Sequence, residues 1–182
     1  MKAEIYSIIA LTTLSGCQST EIGDKLAGST SVGTSISEVD QAVTVSSPIR
    51  FVVLEPKDLK WQDVPGGLGA QFAILKGNPS ESGIYVMRVR FPPFVMDREH
   101  LHTGDRYVTV IEGEWFAGIA SKFDPAAARR VVAGGYMYHP ANGVHWDGSA
   151  SAAGAVVQII GLGPVKTNQL HSSQSDWVDI RK

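Results

Sequence analysis

Over residues 84–91 the chain alternates with a period of two. Tyr85, Met87, Val89 and Phe91 fall on one side, and Val86, Arg88 and Arg90 on the other. Successive side chains of a strand point to opposite faces, so this run predicts a half-buried strand with one polar face. Shorter apolar runs at 51–54, 71–76, 107–112, 114–119, 136–139 and 155–160 predict further strands. Turn residues separate them: Gly77-Asn78-Pro79-Ser80, Pro92-Pro93, Thr103-Gly104-Asp105, Gly134-Gly135 and Gly161-Leu162-Gly163-Pro164. One short helix is predicted over 124–130, where Asp124 suits the cap and Pro125 the first helical position. Roughly eight to ten short strands without βαβ alternation predict an all-β sandwich or barrel.

Composition agrees with one globular domain plus extra chain. The 182 residues are 43% hydrophobic and 19% charged, with Gly 19 and Pro 9. The net charge of -2 lacks the basic footprint that nucleic acid requires, so no nucleic-acid partner is expected. The single cysteine, Cys17, excludes an intrachain disulfide. Residues 5–14 are apolar, have the size of a signal-peptide core and are too short to span a bilayer. Residues 19–47 are rich in Ser, Thr and Gly and hold no aromatic residue, as a flexible tether would. Residues 166–182 are polar around a lone Trp177 and read as an arm packing on the barrel.

Candidate chemistry is concentrated in His100-Leu101-His102 and in Pro140-Ala141-Asn142-Gly143-Val144-His145. Histidines at i and i+2 of an extended segment share a face, and a third from a neighbouring strand end can close on the same point. Three imidazoles converging inside a barrel make a divalent-metal site with open positions. His139, next to this turn, reads as a packed or rim histidine rather than a fourth ligand. Met87 and Met137 read as core filler. Tyr85, Tyr107, Tyr138, Phe116 and Trp146 read as core aromatics, with Tyr138 and Trp146 near enough in sequence to line the mouth of the site.

Two resemblances follow from these residues. Leu14-Ser15-Gly16-Cys17 resembles the lipobox of bacterial lipoproteins. That resemblance implies a signal peptide over 1–16, a lipidated Cys17 with a linker to 47, and a periplasmic, outer-membrane-anchored protein of the cell envelope. His100, His102, position 106 and Gly113, with Gly134, Pro140, Asn142 and His145, resemble the two motifs of cupins. The likeness extends over 49–164 and implies a cupin double-stranded β-helix, the jelly-roll barrel, over 48–165. It also implies a metal on His100, His102 and His145 (Fe, Mn or Zn), a small-molecule ligand and a homodimer. The motif's glutamate position holds Arg106, which is always charged and does not ligate a metal. Either three histidines hold the metal with Arg106 beside it, or Asp105 swings in as an oxygen ligand. Asp105 as a turn cap, and Arg106 paired with Asp97, Glu99 or Asp105, are the plainer alternatives. Arg106, Asp105 and His139 are the catalytic candidates. The expected function is a tethered metal-binding cupin, dioxygenase- or isomerase-like, acting on a small anionic molecule. The alternative is a non-catalytic binding or sensing module.

Overall fold

The computed structural model describes residues 50–182, Ser172 excepted. The signal peptide, Cys17 and the linker expected from the sequence lie outside the described residues. Eleven strands form: β1 (Gln62–Asp63), β2 (Gln71–Lys76), β3 (Gly83–Phe91), β4 (Val95–His102), β5 (Arg106–Gly118), β6 (Arg129–Val132), β7 (Tyr136–His139), β8 (His145–Gly148), β9 (Ala155–Gly163), β10 (Thr167–Gln169) and β11 (Trp177–Asp179). All pairings are antiparallel and run β1-β2-β3-β9-β5-β8-β4-β10, with β6 and β7 also on β5 and β11 also on β4. This is the curled antiparallel jelly roll of the cupin double-stranded β-helix.

β5 organises the curl. Its first half pairs with β7 and β9, and its second half with β6 and β8. A register shift falls between Val110 and Glu112, and Gly113 adopts φ 72. A bulge of this kind bends a strand and changes which side chains face inward. Val108 and Val110 are buried before it, Trp115 and Ala117 after it, so the inward parity changes from even to odd. The predicted strands 107–112 and 114–119 are therefore one bent strand. The core gathers Tyr85, Phe91, Val95, Val108, Val110, Trp115, Val157, Ile159 and Trp177.

Two local expectations are corrected and a third, the tail, gains detail. Residues 51–54 form no strand, and Phe51, Val52 and Val53 are exposed. β-branched and aromatic residues favour strands only where a neighbour completes the ladder, and this run has none. The helix predicted over 124–130 is a single 3-10 turn, Pro125–Ala127, with the Asp124 side chain accepting from Ala126 N at 3.1 Å. So short a helix cannot offset its nucleation cost, and β6 pairs with β5 instead. The tail contributes two strands on β4, with Trp177 buried in the core.

Gly113 combines a left-handed backbone with a site where a Cβ would overlap the Gly154 carbonyl. Gly113→Ala is expected to destabilise the fold by about 3 kcal/mol, from left-handed strain and overpacking together. Denaturant unfolding measures it; a loss within the noise of the wild-type curve would mean the bulge tolerates a side chain.

Candidate metal centre

Strand pairing brings the histidines together. β4 carries His100 and His102 two residues apart, and β8 pairs with β4 so that His145 lies opposite His100. The turn before His145 is fastened to β4: Asn142 N donates to His102 O at 2.7 Å, and Ala141 N donates to the Asp105 side chain at 2.7 Å. Asn142 stands where the cupin motif has glycine and adopts φ 61, a conformation that asparagine tolerates better than most residues. Asp105 is thus a lock on this turn, with its carboxylate engaged by the backbone.

His100, His102 and His145 are all buried, with ring centroids 4.3–5.0 Å apart. Each has its Nδ1 occupied. His100 Nδ1 donates to Arg98 O at 2.6 Å, and His145 Nδ1 donates to Gly143 O at 2.9 Å. His102 Nδ1 meets Thr167 Oγ1 at 3.0 Å. A proton on Nδ1 leaves the lone pair on Nε2, which is how metal-binding imidazoles are oriented. The Nε2 atoms of His100 and His102 lie 3.2 Å apart, and His145 Nε2 is buried without a partner. A spacing of that size suits two nitrogens each about 2.1 Å from one ion. The cluster could therefore hold a metal ion.

Further groups share the interior. A cavity of ≈ 380 Å³ is lined by His100, His102, Arg106, His139, Asp97, Asp147, Trp115, Thr167 and Gln169, with apolar residues of β2, β3 and β9 on the other wall. Arg106 opens β5 after the 103–105 turn and faces this cavity, and its Nε is buried without a partner. Tyr107, one residue on, faces solvent. His139 is 4% exposed, lies 4.0 Å from the His145 ring, and neither of its nitrogens has a partner. With His145 and Asp147 it forms a second group of converging donors. Tyr138 is exposed against Tyr107, and Trp146 is buried behind β8 beside Phe123. Neither lines the site's mouth.

Two carboxylates join the site: Asp97, read from the sequence only as a possible partner of Arg106, and Asp147, which no sequence motif marks. Asp147 follows His145 by two residues, so parity alone would have placed it inside. It accepts from the Trp115 indole at 3.2 Å and lies 3.6 Å from His145 Nε2. Asp97 is three residues before His100, which ordinary alternation puts on the opposite face. A register shift between Asp97 and His100 brings both inward, opposite Asp147 and His145. Asp97 then accepts from Gln169 Nε2 at 3.2 Å and lies 3.5 Å from His100 Nδ1. Thr167 and Gln169 come from β10, in register with His102 and His100. Glu99, between Asp97 and His100 and absent from the cavity lining, is buried and clamped by His171 Nε2 at 2.6 Å and by Phe123 N–H.

Burial dominates the electrostatics. It depresses His100 to about 4, with neighbouring His145 adding to the effect. It depresses His139 to about 3, again with His145. His102 is held low by burial and by Arg106. His100, His102 and His139 are therefore neutral near pH 7, the state in which imidazole binds metal. Burial, reinforced by Asp147, raises Asp97 to about 8.

No family model matches the chain, and no curated protein matches it. Solved structures do. The polyketide cyclase RemF from Streptomyces resistomycificus superimposes with TM-score 0.59 at 14% identity, over 70% of this chain and 90% of that one. A protein of unknown function with a cupin-like fold from Ralstonia eutropha gives TM-score 0.52 at 21% identity, over 65% and 77%. The DMSP lyase DddQ from Ruegeria pomeroyi gives TM-score 0.52 at 14% identity, over 65% and 64%. At these identities the likeness is one of fold: the chain has the cupin fold.

The shifted groups set opposing pH dependences in metal-free protein. A histidine depressed from 6.5 holds fewer protons than in the unfolded chain, so the fold loses stability as pH falls from 6.5 towards about 4 for His100 and about 3 for His139. Asp97, raised from 3.8, keeps a proton that the unfolded chain releases, so its contribution is lost as pH rises from 3.8 through about 8. His139→Gln is expected to remove the loss of melting midpoint as pH falls from 6.5 towards about 3, and Asp97→Asn the opposing loss as pH rises from 3.8 to about 8. A His139→Gln profile parallel to wild type below pH 6.5 would show that this imidazole titrates freely.

Proposed function

We propose that this protein is a metal-dependent cupin, dioxygenase- or isomerase-like, acting on a small anionic molecule and tethered to a membrane through lipidated Cys17. The observation that carries the reading is the convergence of three buried imidazoles beside the half-buried guanidinium of Arg106. His100, His102 and His145 would hold the ion. The absence of a carboxylate from position 106 leaves that donor set uncharged. A divalent ion bound there supplies Lewis-acid polarisation of a coordinated oxygen.

The chain's own groups provide the rest. Arg106 offers donors to an anion beside the histidines and can meet a carboxylate with two parallel N–H bonds. The apolar wall excludes water and strengthens each polar contact. Asp147, held by the Trp115 indole, and His139, with both nitrogens unengaged, can hold or pass a proton next to a bound molecule. Enzymes such as RemF and DddQ share the fold. The available proton-handling groups favour catalysis over simple binding. The Leu14-Ser15-Gly16-Cys17 run supports the anchor, and an outer-membrane location and a homodimer belong to the same reading.

Three tests follow from it. His100→Ala, His102→Ala and His145→Ala should each lower metal affinity by about a hundredfold or more while His171→Ala does not, as read by elemental analysis after dialysis. Full metal stoichiometry in any of the three would sink the site. Arg106→Glu should keep or tighten the metal but lose azide and small-carboxylate binding. Unchanged anion affinity would remove Arg106 from the function, and carboxylates that bind without ever being consumed would leave a binding module. Cys17→Ser should move the protein from the membrane pellet to the soluble fraction; a variant still in the pellet would place the anchor elsewhere.

A further inference from the structure

Four residues stand in one row across the inner face of the β3-β9-β5-β7 sheet. Tyr85 is opposite Gly161, Gly161 opposite Arg106, and Arg106 opposite His139. Tyr85 is completely buried, yet its hydroxyl has no hydrogen-bond partner. Buried hydroxyls are normally satisfied, so an orphan calls for an explanation. Gly161 supplies part of one. A Cβ there would overlap the Tyr85 ring and hydroxyl, so the glycine leaves a notch through which the phenol reaches across β9. Across β9 from Tyr85 stands Arg106, whose charge is disfavoured by burial and favoured by the Tyr85 oxygen. Arg106 Nε and both His139 nitrogens are also without partners. One row therefore holds three polar side chains with buried atoms whose hydrogen bonds are unmade, and two of them, Arg106 and His139, line the cavity.

The adjoining rows have opposite character. One step along the sheet, Met87, Ile159 and Val108 stand side by side, followed by Val89 and Val157. These five line the same cavity. A ligand with its polar head at the Arg106 row must lay whatever follows on aliphatic side chains. A polyhydroxylated molecule would leave hydroxyls unpaired against that wall. The head's charge is bounded too. Asp97, Asp147 and Asp176 line the cavity, so a dianion such as phosphate meets three carboxyl groups, and a monoanion beside Arg106 and the ion meets less repulsion from them.

We propose that the molecule bound here is a small monocarboxylate with an apolar body, and that Tyr85 is the positioning residue that aims Arg106 at its head. The carboxylate lies between the histidine cluster and Arg106, and the body lies on Met87, Val89, Val157 and Ile159. This rests on the functional reading above for the metal, but the Tyr85–Arg106 pair is independent of it.

The test uses the full chain loaded with Co(II), whose visible bands report ligands at the histidines, with benzoate, acetate, benzyl alcohol and inorganic phosphate as probes. Benzoate should bind about tenfold or more tighter than each of the others, since it alone pairs a charged contact with an apolar body. Tyr85→Phe should weaken benzoate about tenfold and leave benzyl alcohol affinity, cobalt content and melting midpoint unchanged. A purely structural tyrosine would move the midpoint, or weaken both aromatic probes equally. Equal binding of acetate and benzoate overturns the apolar body, and phosphate binding as tight as benzoate overturns the monoanion. Benzoate affinity unchanged in Tyr85→Phe overturns the positioning role. If that variant fails to fold, Arg106→Gln carries the same comparison: unchanged benzoate affinity overturns the proposal. Should Co(II) not bind at all, the metal reading fails by itself. Calorimetry of benzoate with metal-free wild type and Tyr85→Phe then decides the Tyr85–Arg106 pair separately.

Discussion

The register between β4 and β8 is the constraint on which the site depends. A strand alternates its side chains, so donors on two strands meet only where the pairing sets equal faces against each other. His100 opposite His145 and Asp97 opposite Asp147 are two rungs of one ladder. Slipping it by one residue would turn His145 and Asp147 out of the cavity and bring in Trp146, which now packs behind the strand against Phe123. The bulge between Asp97 and His100 is equally necessary, because without it the two could not share a face. Glu99, at that bulge and absent from the cavity lining, is fixed by His171 and Phe123, so the irregularity is held from outside.

The interior so created carries an unusual share of ionisable groups for its size. It tolerates them because they are graded rather than uniform. His100, His102 and His139 stay neutral, and the Nδ1 atoms of His100, His102 and His145 are satisfied by backbone or hydroxyl. Asp147 has the indole of Trp115, and Asp97 has the amide of Gln169. Around the histidines, His145 Nε2, both nitrogens of His139, Arg106 Nε, the Tyr85 hydroxyl and Gln169 Oε1 remain unsatisfied. Hydrogen-bonding capacity left open in a folded interior marks where another molecule supplies the missing partners. Depressed histidines and a raised carboxyl in the same cavity are what a functional centre imposes on its residues.

Much of this was legible in the sequence. The period-two runs gave β3 and β7 closely, and the two histidine motifs gave the fold and the three imidazoles. Parity from His102 placed Arg106 inside and Tyr107 outside. The misses share a physical cause. Trp115 and Asp97 each lie beyond a bulge, and a bulge resets parity without leaving a reliable mark in one sequence. Thr167 and Gln169 depend on a pairing between segments far apart in the chain. The orphan Tyr85 hydroxyl depends on Gly161, whose meaning appears only once β3 and β9 are side by side. Residues 51–54 erred in the other direction: good strand composition could not supply a neighbour.

The turn preceding His145 can also be viewed as a mechanical joint. Two N–H groups pin it, one on the carbonyl of His102 and one on the side chain of Asp105. The third imidazole is thus bolted to the strand that bears the other two rather than hung from a free loop. A joint of this kind transmits displacement instead of absorbing it. Movement of His145 pulls on the end of β4, and through β4 on the Glu99 clamp and the tail strands beyond it. The cavity's contents and the outer surface near His171 are in this way parts of one stiff linkage, connected by backbone rather than through solvent.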